Sequence, residues 1–237
     1  MRKLLVFAVL LVLLLAPALA AGAQAGGGDD FTLRLPAETE SDVPVQVMSE
    51  PPELSDVSGH WAREYITKLY LLGIVSGYPD GSFQPDNQIT RGEFSVMAAR
   101  AFSLVPPAAP AQVLAKYRDA AAVPGWCRAE VAACTARNIL RGYLETDGTW
   151  VKHYITIPRE QVAAILSRYA CPDLTPGPVT FADAGAISDW AVPEVGRAAA
   201  AGLVTGYPDG TFRPQQPVTR AEAAVLIFRT MQYQHLI

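Results

Sequence analysis

Gly77-Tyr78-Pro79-Asp80-Gly81-Ser82-Phe83-Gln84-Pro85 returns as Gly206-Tyr207-Pro208-Asp209-Gly210-Thr211-Phe212-Arg213-Pro214. Each copy leads into a Thr-Arg-x-Glu start to an apolar stretch, Thr90-Arg91-Gly92-Glu93 and Thr219-Arg220-Ala221-Glu222. A match of this length marks an internal repeat, and the 129-residue spacing leaves room for a third copy midway, at a period of about 64 residues. Trp61, Trp126 and Trp190 mark three starts, each followed 16 residues later by Gly-Tyr (Gly77, Gly142 and Gly206), and Asp56, Asp119 and Asp183 stand ahead of the tryptophans.

Within a repeat the apolar spacing is helical. Ile66, Leu69, Tyr70 and Gly73 fall at i, i+3, i+4, i+7, as do Phe94, Met97, Ala98 and Ala101. The middle copy keeps Val162, Ile165, Leu166 and Tyr169; the last keeps Val195, Ala198, Ala199 and Gly202, then Ala223, Leu226, Ile227 and Thr230. Each repeat therefore reads as helix, loop, helix, and each narrow stripe needs a partner. In the loop, Pro presets φ, Asp bonds its own backbone and Gly accepts positive φ. Thr90 with Glu93, and Thr219 with Glu222, have capping-box spacing. Arg91 and Arg220 open helices, where a cation opposes the positive end of the dipole. Two readings stay open for them: an anionic ligand at the helix start, or pairing with a glutamate or a carbonyl.

The N-terminus has the order of a secretory signal, with Arg2 and Lys3, an apolar run from Leu4 to Leu15, then Ala18-Leu19-Ala20. Cleavage is expected near Ala20 or Ala25, leaving no membrane span. The domain reading is a signal peptide over 1–25, a flexible linker over 26–53, and repeats over 54–105, 115–171 (degenerate) and 179–233. A net charge of −4 without a basic run argues against nucleic acid. His60, His153 and His235 are scattered, so neither a metal nor a cofactor is expected. Catalytic signatures of the Gly-x-Ser-x-Gly or Walker type are missing, which argues against an enzyme.

Cys127, Cys134 and Cys171 all lie in the middle repeat of an exported chain. Cys127 and Cys134 are too far apart along one helix to bridge. If the two helices of the repeat run antiparallel, Cys127 comes near Cys171, and this pair is the expected disulfide. The alternative is free thiols packed as small hydrophobes.

The Asp and Trp ahead of helix one, the Gly-Tyr-Pro-Asp-Gly-Ser/Thr-Phe-x-Pro loop and the Thr-Arg-x-Glu helix start together resemble the S-layer homology domain family, over about residues 54 to 233. The resemblance implies a mostly all-α fold: three helix-loop-helix repeats in a pseudo-threefold bundle, with intervening loops and short irregular or β-like segments. It also implies non-catalytic, noncovalent anchoring at the bacterial cell surface to a secondary cell wall polysaccharide linked to peptidoglycan, often capped by a pyruvylated sugar. By the same resemblance Arg91, Arg159 and Arg220 would pair with the ketal carboxylate, and Asp56, Asp119 and Asp183 would bond sugar hydroxyls. Trp61, Trp126 and Trp190 would offer faces to the ring, and backbone at Gly77, Gly142 and Gly206 would line grooves between repeats. An alternative is a structural or protein-interaction module that uses those grooves for another envelope protein. The middle copy departs from the pattern, with Pro158 in place of the capping Thr and Gln161 in place of the Glu.

Overall fold

The computed structural model describes residues 54–237; the signal peptide and linker readings lie outside the described residues. The regular structure of the described residues is mostly helical: α1 (Arg63–Leu71), α2 (Arg91–Ala101), α3 (Pro110–Leu114), α4 (Gly125–Ala136), α5 (Arg159–Ala170), α6 (Val192–Ala200) and α7 (Arg220–Tyr233). A small antiparallel hairpin, β1 (Tyr143–Glu145) and β2 (Gly148–Trp150), pairs Tyr143 with Trp150. No helix among the described residues is long and apolar enough to cross a membrane.

Local chemistry sets the helix starts. Thr90 and Thr219 close capping boxes: the hydroxyl of each accepts from the Glu93 or Glu222 amide, and the glutamate accepts from the threonine amide in return. Pro158 is the N-cap of α5 and offers no side-chain cap. Gly73, just past α1 at φ 69°, supplies the left-handed residue that ends a helix. In the outer loops Asp80 and Asp209 accept from the amide and hydroxyl of Ser82 and Thr211, which tightens the turn. The middle repeat replaces this turn with the β1–β2 hairpin.

Helices pair between repeats. The second helix of one repeat packs on the first helix of the next: α2 on α4, α5 on α6, and α7 back on α1, with α7 also touching α2 and α5. The second helices are accordingly buried beyond the predicted stripe; in α2, Gly92, Ser95 and Ala99 join Phe94, Met97, Ala98 and Ala101 inside. Just before these helices, three extended segments meet in a closed set of backbone bonds. Ile89 N–H donates to Val218 O at 3.0 Å, Val218 N–H to Ile157 O at 3.1 Å, and Ile157 N–H to Ile89 O at 3.0 Å. The side chains of Ile89, Ile157 and Val218 are fully buried, so this triangle sits in the core.

The helix pairing overturns the Cys127–Cys171 disulfide. All three cysteines are free and buried. The pairing needed α4 and α5 side by side, whereas α4 packs on α2 and α5 on α6. Cys127 Sγ points to Pro124 O at 3.8 Å, and Cys171 Sγ to Arg197 O at 3.9 Å on α6. Burial pushes the Cys127 thiol up to about 11 and the Cys134 thiol to about 12, which keeps both protonated and inert. Two results are expected: dithiothreitol leaves the melting temperature unchanged, and a thiol reagent labels the native protein only on the timescale of unfolding. A reductant-sensitive melt would show that a bridge forms.

Candidate functional site

Arg91, Arg159 and Arg220 each occupy the first position of a second helix, and all three are nearly fully buried. The leading amides of each helix, which would otherwise lack partners, donate to carbonyls from another repeat's loop. Arg91 and Gly92 bond Ile155 and His153; Arg159 and Glu160 bond Gln216 and Pro214; Arg220 and Ala221 bond Asn87 and Pro85, all at 2.8–3.0 Å. The anion place that the sequence suggested at the helix start is thus filled by peptide oxygens.

The side chains continue in the same direction. Arg91 donates from Nε to Val151 O at 3.0 Å and from Nη2 to Arg141 O at 2.9 Å, with its guanidinium 4.7 Å from the Tyr143 ring centre. Arg159 donates to Thr205 O at 2.8 Å and lies 4.8 Å from the Tyr207 ring. Arg220 donates to Phe83 O at 2.8 Å and lies 4.8 Å from the Tyr78 ring and 4.5 Å from Phe83. Each arginine therefore cements its helix to the loop of a neighbouring repeat through carbonyls and a cation–π contact. The contacts run from the first repeat to the second, the second to the third and the third to the first.

The acidic partners of these arginines differ. Glu222 Oε1 lies 3.8 Å from Arg159 Nη1, and Glu93 Oε1 lies 3.7 Å from Arg220 Nη1. Both glutamates also accept from a loop tyrosine, Glu222 from Tyr207 and Glu93 from Tyr78. Burial and the Glu222 hydrogen bond push the Tyr207 phenol up to about 12. At the remaining arginine the residue is Gln161, whose Oε1 accepts from Arg91 Nη1 at 2.5 Å and whose amide donates to the Tyr143 hydroxyl at 2.6 Å.

Asp56, Asp119 and Asp183 each clip their own loop. Both oxygens of each carboxylate accept, at 2.7 Å, from two successive backbone amides: Phe83 and Gln84, Val151 and Lys152, Phe212 and Arg213. Asp119 is buried, whereas Asp56 is exposed. The glycines at the loop entry sit where no side chain fits: a Cβ on Gly142 would come within 2.5 Å of Tyr117, and one on Gly77 within 2.6 Å of Leu54. The tryptophans are on the surface, with Trp61, Trp126 and Trp190 exposed to 62%, 57% and 49%.

One cleft of about 620 Å³ gathers three of these residues from three repeats: Arg91, Gly142 and Trp190. Tyr143, Gln161 and Glu160 also line it, the last held by the amide and hydroxyl of Ser188 at 3.0 and 2.9 Å. Arg159, Arg220, Trp61 and Trp126 lie outside this cleft. Arg168 lies at its edge, bonded to Glu194 at 3.0 Å. Burial opposes the charge of Glu194, but hydrogen bonds from Ser167 and Arg168 hold its carboxyl below the usual range. Sequence reasoning missed Glu160, which has no counterpart in the other repeats, and also Arg168 and Glu194, which do recur (Arg168 with Arg100 and Arg229, Glu194 with Glu130) but fall in no turn or cap motif. A cleft with a guanidinium at its base, an exposed indole at its rim and several hydrogen-bonding groups suits a polyhydroxylated, acidic ligand.

The S-layer homology domain model matches residues 53–95 and 180–224. An amylopullulanase of Thermoanaerobacterium thermosulfurigenes is 32% identical over 185 residues, which is 75% of this chain and 9% of that protein. Cell surface glycoprotein 1 of Acetivibrio thermocellus is 32% identical over 197 residues, 77% of this chain and 8% of its own length. The cellulosome-anchoring protein of the same organism is 29% identical over 161 residues, 67% of this chain and 35% of its own. The chain thus spans a minor part of each relative. The matches at residues 53–95 and 180–224 identify the first and third repeats as S-layer homology domains, and the chain stands among the proteins that carry that domain.

Proposed function

We propose that the chain binds a secondary cell wall polysaccharide noncovalently, that the polymer is pyruvylated, and that the three repeats stand about a pseudo-threefold axis. The module is non-catalytic and belongs at the cell surface, in keeping with its family and with relatives named as a cell surface glycoprotein and a cellulosome-anchoring protein. The cyclic order of the arginine contacts supports the threefold reading.

The observation that carries the binding proposal is the cleft in which Arg91, Gly142 and Trp190 meet. A sugar ring lying on the indole would place an acidic substituent toward the guanidinium, whose planar donors match a carboxylate. The aspartates and the other two arginines act in this reading by holding the loops that shape the grooves. The purified chain is expected to cosediment with native sacculi of the source organism and to stay in the supernatant with sacculi stripped of secondary polymer by acid. Equal sedimentation with both would point to peptidoglycan itself. Sedimentation with neither, by folded protein, would favour a protein partner.

A further inference from the structure

Three junctions are built from the same parts, and one differs in charge. At two of them a carboxylate faces the buried guanidinium, Glu222 at Arg159 and Glu93 at Arg220. At the third, the neutral Gln161 takes that place against Arg91. The aspartate clips recur in all three loops; Asp119, a buried one, adds negative charge toward Arg91 but forms no ion pair with it, whereas Glu222 and Glu93 pair with the other two arginines. The tyrosine contacts confirm the exchange: Tyr78 and Tyr207 donate to glutamate, whereas Tyr143 accepts from Gln161.

A guanidinium buried without a carboxylate beside it is costly, and the cost falls when an anion arrives. Burial pushes the Arg91 pKa down, against the opposing pull of Tyr143, Tyr117 and Asp119. The same junction opens on the 620 Å³ cleft, whose lining carries Arg91, Arg141 and Arg168 against Glu160 alone. Glu160 is held by Ser188, and Arg168 is committed to Glu194. Arg91 bonds through Nε, Nη1 and Nη2, and the second hydrogen on each Nη is left for a ligand; Arg159 keeps a buried Nε with no partner but does not line the cleft.

We propose that the exchange of glutamate for Gln161 makes the Arg91 junction the one that takes the anionic group of the wall polymer, a carboxylate or a phosphate, while the Arg159 and Arg220 junctions are neutralised from within. This rests on the wall-binding reading above and adds which junction carries the charge and which residue sets it. Gln161 acts here as a specificity determinant through the charge it withholds.

The test is Gln161→Glu, which installs the side chain that the other two junctions already hold and so is compatible with the fold. The probes are soluble wall fragments released from native sacculi by muramidase, used untreated, after mild acid that removes ketal-linked pyruvate, and after hydrofluoric acid that cleaves phosphodiesters. The substitution is expected to weaken binding of untreated fragments at least about tenfold, because a carboxylate at this range competes for the guanidinium. Wild type and Gln161→Glu should bind equally the fragments that have lost the relevant anion, and the treatment that equalises them identifies the anion as carboxylate or phosphate. Equal weakening toward treated and untreated fragments would mean a change of shape and overturn the charge role, as would an unchanged affinity for untreated fragments. If wild type binds no fragment in any form, the wall-binding reading falls and this inference with it.

Discussion

Arg220→Ala is expected to destabilise the fold by about 4 kcal/mol, close to the cost of removing one partner of a buried ion pair. For a domain of this size that lowers the melting temperature by roughly 10 °C. Three losses combine. The Phe83 carbonyl loses a charged donor at 2.8 Å, the Tyr78 and Phe83 rings lose a guanidinium, and Glu93 loses its cation at 3.7 Å. This arginine also joins positions 137 residues apart, so it fastens the last repeat to the first, whereas Arg91 and Arg159 fasten neighbours in sequence. Closing so long a loop has a large entropic cost that the contacts must offset. The amides of Ile89, Arg220 and Ala221, which bond across the same junction, should lose hydrogen-exchange protection first. Arg220→Lys should recover only part of the stability, since an ammonium lacks the planar fork. A melting temperature unchanged in Arg220→Ala would show that the junction is held by α1 on α7 packing alone.

Much of this architecture could be read from the sequence, and the parts that could not share a physical cause. The Tyr-Pro-Asp-Gly turn and the Thr-x-x-Glu caps are local: the residues that specify them also make the contacts, so Asp80 with Ser82 and Thr90 with Glu93 appear as the spacing implied. Phe83 and Phe212 likewise fall into the core after the turn. Partner choice is not local. A stripe such as Ile66 and Leu69 says that a face must be covered but not by what, and the cover is α7, the helix at the far end of the chain. The assumption that a repeat closes on itself produced the cysteine pair that the fold does not make.

The site was legible as a set of residue types, less so in its roles. The arginines stood out because they recur, yet recurrence did not reveal that their amides and side chains close contacts between repeats. The aspartates showed as repeated positions, while their bonds to amides 27 to 33 residues on lie beyond any local pattern. Gln161 was visible as a departure and read as a lost cap. Its meaning needed Arg91 beside it, and Arg91 belongs to another repeat. The side chains peculiar to the third junction, Glu160 and Ser188, carry no repeat signal at all.

Trp190→Ala should weaken wall binding roughly thirtyfold while leaving stability within about 0.5 kcal/mol of wild type, the usual range for a surface exchange. The indole is half exposed at the rim of the cleft and is not part of the buried core, so the fold loses little with it. A bound sugar ring would cover about 80 Å² of its face, and at about 25 cal/mol per Å² that area is worth about 2 kcal/mol. Trp61→Ala and Trp126→Ala provide the comparison, because both indoles are as exposed but lie outside the cleft. If the cleft beside Arg91 is the binding site, Trp190→Ala alone shows the full loss in sacculus cosedimentation and in titration with soluble wall fragments. Equal losses for all three would instead spread binding over three grooves, each with its own indole face. No loss for any of them would remove the ring-stacking role and leave the arginine-lined base of the cleft as the remaining contact.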